Sequence, residues 1–213
     1  MQAMNKIAVI GGTGKAGSYL VQHLIHQGFH LNLLHRPGTP VIEHPLVTPV
    51  VGDARHYSAI RSLVEGCQAV ISTLGQPRGE DPIFSEATRH VLRAMQEHQV
   101  HRYILITGLN VDASEDKKSP FAQSATDWMK ANYPDTTADK QKEYALLAAS
   151  QVRWTLVRLP RIELTDKQSK LSVNLADCPG DKVSATSLSH FLIEQLTSDQ
   201  HVGQAPFIAD ISD

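Results

Sequence analysis

Four closely spaced glycines near the start of the chain have the spacing of a turn that binds phosphate. They lie in the run Ile10-Gly-Gly-Thr-Gly-Lys-Ala-Gly, which follows an apolar stretch and precedes a helical pattern. Glycine permits a sharp turn and lets a phosphate approach the backbone, and the N-terminus of a helix attracts the anion. We therefore predict that residues 11–17 bind the pyrophosphate of a dinucleotide. A glycine-rich turn without a ligand is the alternative.

The residue type at the end of the second apolar run bears on which dinucleotide would bind. An Asp or Glu in this position usually holds a free ribose 2′-hydroxyl, whereas Arg accommodates a 2′-phosphate. Here the run ends in His35-Arg36, and Lys15 could add a second cation. The sequence thus favours NADP(H) over NAD(H), unless Arg36 is only a solvated surface charge. Asp53 follows the third run and is equally suited to accept from an adenine amino group or to cap the next helix.

The elements that must hold these residues alternate along the chain. Near-continuous apolar runs predict strands buried on both faces at 7–10, 31–34, 47–51, 69–72, 103–106 and 155–159. Helical patterns between and after them predict helices at about 15–27, 57–65, 83–98, 137–150 and 186–197. This alternation predicts an α/β fold: a single doubly wound Rossmann-fold domain over residues 1–213, with a parallel sheet and helices on both faces.

Composition narrows the classes of function. The net charge of −2 over 213 residues shows no excess of basic residues of the kind that binds nucleic acid. No apolar stretch is long enough to span a membrane. The start of the chain shows no secretion signal, so we expect a cytoplasmic protein, a monomer or homodimer, that acts on a small molecule. The two cysteines, Cys67 and Cys178, and the scattered histidines have no metal-ligand spacing, so no metal site is predicted.

Two long polar loops are predicted at the edge of the sheet where open α/β folds bind ligands. They cover about 109–135, which includes Phe121, Trp128, Met129 and Tyr133, and about 161–170. Loops of this length are often lids or binding loops, and we assign both to the substrate side. For the segment at about 109–135, a partly disordered surface loop without a binding role is an equally good interpretation.

Taken together, the motifs resemble those of the atypical short-chain dehydrogenase/reductases. The matching stretches are GGTGKAG at 11–17, the strand ending at Arg36, VVGD at 50–53, AVISTLG at 69–75, YILITG at 103–108, KQKEYALLAAS from Lys140, and WTLVRLPRI at 154–162. Within that family the chain is similar to the NAD(P)H-binding group that contains NmrA-like proteins and the small biliverdin reductase B/flavin reductase. The resemblance covers nearly the whole chain.

The resemblance implies a set of cofactor-binding residues. Gly11, Thr13, Gly14, Lys15 and Ala16 would form the pyrophosphate turn, Arg36 would contact the 2′-phosphate, and Asp53 and Ala54 the adenine. Leu74 and Gly75 would line the cofactor, Thr107 and Gly108 would lie beside the nicotinamide, and Leu159, Pro160 and Arg161 would close over it.

The chain departs from the family in its catalytic residues. None of the five tyrosines has a lysine four residues later, so the usual Tyr-x-x-x-Lys pair is absent. Lys140 and Tyr144 are four apart in the reverse order and could share a helix face, so they are the candidate catalytic pair. Gly108 stands where flavin reductase-like members carry a serine. General acid catalysis typically contributes about 10²–10⁴-fold, so simple ketones and alcohols are poor substrates for such a site.

Two functions therefore remain open. The first is an NADPH-dependent reductase of a planar conjugated acceptor, such as a flavin, quinone or tetrapyrrole, which accepts hydride without a proton from the enzyme. Lys140 would orient the cofactor ribose or amide and Arg161 would attract an anionic group of the substrate, unless both are surface charges. The second is a non-catalytic, NmrA-type sensor that binds NADP(H) and signals its redox state to a partner.

Overall fold

The computed structural model describes residues 5–76 and 79–211, which form one α/β domain. The strands are β1 Lys6–Ile10, β2 His30–His35, β3 Val47–Val51, β4 Ala69–Ser72, β5 Arg102–Gly108, β6 Arg153–Leu159, β7 Arg161–Glu163, β8 Leu171–Asn174, β9 Lys182–Ser184 and β10 Phe207–Asp210. The helices are α1 Lys15–His26, α2 Tyr57–Val64, α3 Phe84–Glu97, α4 Pro120–Asn132, α5 Pro134–Ala148 and α6 Ala185–Glu194.

The main sheet has the order β3-β2-β1-β4-β5-β6-β10-β8, and β7 pairs separately with β9. Every pair in the main sheet is parallel except β10 with β8. Successive strands spread outward from β1 to β3, and the chain then returns to place β4 on the other side of β1. This reversal opens a crevice at the carboxyl ends of β1 and β4, the usual ligand position in doubly wound sheets.

Helices cover both faces of the sheet, which is why its central strands are apolar throughout. Ile7 and Val9 of β1 face α1 and α6, and pack with Leu24 and Leu192. Ala8 and Ile10 point to the opposite face, into a core with residues of α2, α3 and α5. Because successive strand side chains alternate between faces, a strand covered on both sides needs apolar residues at every position. The predicted fold class and the six predicted strands are confirmed.

The second half of the chain differs most from the sequence prediction. The segment predicted as a loop at 109–135 contains helix α4, and the predicted helix at 137–150 begins earlier, at Pro134. Pro120 occupies the first turn of α4 and the Ser119 hydroxyl caps it. This helix buries only Ala122 and Thr126, so it has no apolar stripe to reveal it. The four strands β7 to β10 are three or four residues long and were also missed.

Candidate functional site

A cleft of about 530 Å³ lies where β1, β4, β5 and β6 end. Fifteen of the sixteen predicted cofactor-binding residues line it: Gly11, Thr13, Gly14, Lys15, Ala16, Arg36, Asp53, Ala54, Leu74, Gly75, Thr107, Gly108, Lys140, Leu159 and Pro160. Arg161 is the exception, because β7 directs it to a neighbouring cavity. The sequence prediction missed the apolar floor of the cleft, which includes Ile10, Leu34, Ile83 and Ile106.

The turn between β1 and α1 has a backbone that other residues could not adopt. Gly11 has φ +76°, and a Cβ there would lie 2.6 Å from the carbonyl of Thr73. A Cβ at Gly17 would lie 2.1 Å from the Gly11 oxygen, so α1 packs against the turn only because this residue lacks a side chain. Gly14 is the N-cap of α1, which has no side-chain cap and no acidic residue in its first turn. The N–H groups of that turn therefore face the cleft without a protein anion.

Two arginines and two carboxylates form a cluster at one end of the cleft. The Nη1 and Nη2 atoms of Arg36 donate to the two carboxylate oxygens of Glu80 at 3.1 and 2.9 Å, and its Nε donates to Asp53 at 3.0 Å. Arg55 lies 2.9 Å from Glu80 and 3.7 Å from Asp53. The hydrogen bond from Arg36 is the main cause that lowers the pKa of Glu80. The same bond raises the pKa of Arg36.

Asp53 has a different role from the helix cap considered above. The N-cap of α2 is His56, which makes no side-chain cap, and the Asp53 carboxylate accepts instead from the N–H of Arg55 at 2.9 Å. Burial alone would raise the pKa of Asp53, but this N–H and the Arg36 guanidinium lower it. Asp53 thus holds Arg36 against the end of β3 and keeps the guanidinium at the cleft.

The other end of the cleft, where β5 ends, contains polar atoms without partners. Thr107 lines this end of the cleft, and Asn110 lines the cavity next to it; Thr107 Oγ1 and Asn110 Oδ1 are buried and have no hydrogen-bond partner among the described residues. A Cβ at Gly108 would lie 2.6 Å from Asn110 Oδ1 and 3.9 Å from the Lys140 Nζ. The Asn110 amide therefore occupies the space that a serine at position 108 would need. This explains the glycine in physical terms.

Lys140 reaches this end of the cleft from α5, with a buried acid behind it. Its Nζ lies 4.7 Å from the centre of the Phe84 ring. Glu143, 4% exposed, accepts from the Thr88 hydroxyl at 2.7 Å, and its Oε2 has no partner within the described chain. Burial raises the pKa of Glu143 to about 7. Burial also lowers the pKa of Lys140, an effect that the charge of Glu143 opposes.

Tyr144 does not join Lys140 in the cleft. Its ring packs edge-on against Trp154 at 6.0 Å and lines a separate cavity of about 130 Å³ beside Arg158. Tyr144 lies about 6 Å further along the helix axis than Lys140, because each helical residue rises by about 1.5 Å. At that position it lies beyond the cleft and packs against the core beside β6. The structure therefore does not bring the predicted catalytic pair together. Glu143, which spacing alone did not single out, is the polar neighbour of Lys140 on this helix.

A second cavity, of about 620 Å³, adjoins the cleft and is here called the aromatic cavity. Helix α4 contributes Phe121 and Trp128, which are 48% and 56% exposed, and β7 contributes Arg161. Four residues line both the aromatic cavity and the cleft: Gly108, Lys140, Leu159 and Pro160. The two segments predicted for the substrate side thus both contribute to this cavity, although one is a helix and the other begins with a strand.

The cleft fits a dinucleotide by its own chemistry. The uncapped first turn of α1 supplies N–H donors for phosphate, the cluster around Arg36 supplies guanidinium groups, and Thr107 supplies an unpartnered oxygen for an amide. The described residues contain no group of three His, Cys, Asp or Glu side chains arranged to hold a metal ion. In the same part of the chain, no helix has the length and apolar character needed to cross a membrane.

Comparison with known proteins agrees with this chemistry. A family model described as NAD(P)H-binding matches residues 11–199. Subunit 9 of the NADH dehydrogenase [ubiquinone] 1 alpha subcomplex, a mitochondrial protein of Mus musculus, is 26% identical over 197 residues, which are 84% of this chain and 52% of that protein. The chain spans about half the length, or less, of the curated relatives it matches.

Solved structures show the same fold at low sequence identity. A short-chain dehydrogenase/reductase of Veillonella parvula DSM 2008 superposes with a TM-score of 0.79 at 16% identity, covering 97% of this chain and 94% of that one. A wide-type short-chain dehydrogenase/reductase of the same organism, solved in complex with NADP, gives a TM-score of 0.77 at 15% identity, with coverage of 97% and 94%.

Proposed function

Because the chain belongs to the family of NAD(P)H-binding proteins, we propose that it is an NADPH-dependent oxidoreductase that reduces a planar conjugated acceptor. The observation that carries the proposal is the shared wall between the cleft and the aromatic cavity. Gly108, Lys140, Leu159 and Pro160 line both, so a ring held against Phe121 and Trp128 adjoins the cofactor cleft. Flavins, quinones and tetrapyrroles have such rings.

The preference for NADP(H) over NAD(H) is part of the proposal. Arg36 lies at the end of β2, where an acid would favour a free 2′-hydroxyl, and Arg55 lies close enough to share an anion with it. Lys15 lines the same cleft. These cations support recognition of a 2′-phosphate, since a guanidinium fork matches two phosphate oxygens.

The chain's own residues would position the reactants and would supply little acid catalysis. When bound, NADPH supplies a hydride. Leu159 and Pro160 line the junction between the two cavities, where they would exclude water, and the Lys140 ammonium at that junction would donate a hydrogen bond to the cofactor. The carboxamide would be held by Thr107, whose hydroxyl oxygen lines the cleft and lacks other partners within the described structure. Tyr144 takes no part, which favours acceptors that need no proton from a tyrosine.

A second candidate function is supported by that same position of Tyr144. A protein that binds NADP(H) without a catalytic acid would serve as a redox sensor, with α4 and the segment after β6 transmitting the state of the cleft to a partner. The finer likeness to biliverdin reductase B/flavin reductase, the cytoplasmic location and the monomer or homodimer stay predictions.

One experiment separates the two functions. The protein is incubated with NADPH and FMN, a quinone or biliverdin, and the absorbance at 340 nm is followed. The reductase predicts oxidation of NADPH above background, and its loss in Gly14→Asp, whose carboxylate would repel the pyrophosphate. Tight binding of NADPH without turnover on any acceptor would favour the sensor. Absence of binding to either coenzyme at millimolar concentration would refute both.

A further inference from the structure

The carboxylate of Glu80 lies where Arg36 would bind the extra phosphate of NADP(H). Two terminal nitrogens of Arg36 contact the two oxygens of Glu80 at 3.1 and 2.9 Å. Arg55 contacts the same carboxylate at 2.9 Å. A bidentate carboxylate and a phosphate accept from the same N–H groups at the edge of a guanidinium, so the carboxylate must leave before the phosphate binds there.

The two acids of the cluster differ in how firmly they are held. The Asp53 side chain is 20% exposed and also accepts from the backbone N–H of Arg55. The Glu80 side chain is 40% exposed and lies in the connection between β4 and α3, where only the arginines contact its carboxylate among the described residues. Asp53 therefore orients Arg36, whereas Glu80 is the anion that a ligand can displace with little disturbance of the fold.

We propose that Glu80 is a specificity-determining residue that competes with the 2′-phosphate of NADP(H) for Arg36 and Arg55. This inference rests on the proposed function, because it concerns the same cofactor cleft. A dinucleotide with a 2′-phosphate must break the contacts of Glu80, whereas one with a free 2′-hydroxyl leaves them intact. Glu80 thus weakens the binding of NADP(H) but not that of NAD(H). It therefore reduces the preference for NADP(H) over NAD(H) that Arg36 creates.

The test compares Glu80→Gln with Asp81→Asn, which removes the same charge from the next residue. Dissociation constants for NADPH and NADH are measured by calorimetry at fixed ionic strength, because salt screens such pairs. Glu80→Gln should bind NADPH about three- to tenfold more tightly than the wild type, and NADH within about twofold. Asp81→Asn should change the ratio of the two constants by less than about twofold.

A double-mutant cycle shows whether the effect passes through Arg36. In an Arg36→Met background, where Arg55 still contacts the Glu80 carboxylate, Glu80→Gln should tighten NADPH binding clearly less than it does in the wild type. Equal tightening of NADPH and NADH, or no tightening of NADPH in a wild-type background that binds it, would overturn the competition and leave the proposed function intact. Failure of the wild type to bind either dinucleotide would overturn both.

Discussion

Replacing Glu143 with glutamine should change the way in which the free energy of unfolding depends on pH. The Glu143 carboxyl is 4% exposed, with one hydrogen bond from Thr88 and an oxygen that has no partner among the described residues. Burial is the main cause that raises its pKa from 4.5 to about 7. The side chains that face it are Thr88 of α3, Tyr103 of β5, and Lys140 and Asp139 on its own helix.

The sign follows from proton binding in the two states. Between pH 4.5 and about 7 the folded protein keeps a proton on Glu143 that the unfolded chain has lost. The free energy of unfolding therefore falls as the pH rises through this window, at most by about 1.4 kcal/mol per pH unit. The total loss is on the order of 3 kcal/mol and is complete above the folded pKa. Glutamine does not titrate, so the variant lacks this loss.

The assay is urea unfolding at several values between pH 4.5 and 7.5 for the wild type, Glu143→Gln and the exposed-site control Glu65→Gln. The free energy of unfolding of Glu143→Gln, relative to that of the wild type, should increase by about 2–3 kcal/mol from pH 4.5 to pH 7.5. A destabilisation by the buried amide would be the same at every pH and would not change this increase. The range ends just above the pKa of about 7 for Glu143. Lys140, whose pKa burial lowers, contributes a slope of the opposite sign. Parallel curves for wild type and Glu143→Gln would refute the reasoning.

Three further changes test other parts of the site. Arg36→Ala should weaken NADPH binding about ten- to hundredfold and NADH binding only a few-fold, measured by calorimetry; equal losses would contradict a phosphate contact. Trp128→Ala should raise the KM for a planar acceptor about tenfold while the dissociation constant of NADPH stays unchanged, and a weaker NADPH complex would argue against a separate aromatic cavity. Gly108→Ser should lower the free energy of unfolding by about 1–2 kcal/mol in urea titrations, and by much less in an Asn110→Ala background; equal costs would exclude the proposed steric conflict.

The parts of the fold that could be predicted from sequence are those with a strong local pattern. The central strands are apolar at every position, and the turn at Gly11 needs a backbone that only glycine adopts readily. Motif resemblance then brought together residues as distant as Gly11 and Pro160, which line one cleft. These signals are either local sequence patterns or motifs shared with a family, so they can be recognised without knowledge of the tertiary contacts.

The rest depends on contacts between segments that spacing does not reveal. The i, i+4 rule put Lys140 and Tyr144 on one helix face, but only the packing of α5 shows that the tyrosine meets Trp154 instead. The contact between Glu80 and Arg36 joins residues 44 apart along the chain, and no motif marks it. Helix α4 has no helical period in the sequence because it buries only two small side chains, Ala122 and Thr126.

That sparse burial of α4 has a consequence for protein engineering. Phe121 and Trp128 line the aromatic cavity while remaining about half exposed, and the residues that the helix buries are Ala122 and Thr126. Substitutions on the cavity side of α4 therefore remove little packing and should cost little stability. A library randomised at Phe121 and Trp128 would therefore change the lining of the aromatic cavity while the glycine turn and the parallel sheet stay untouched.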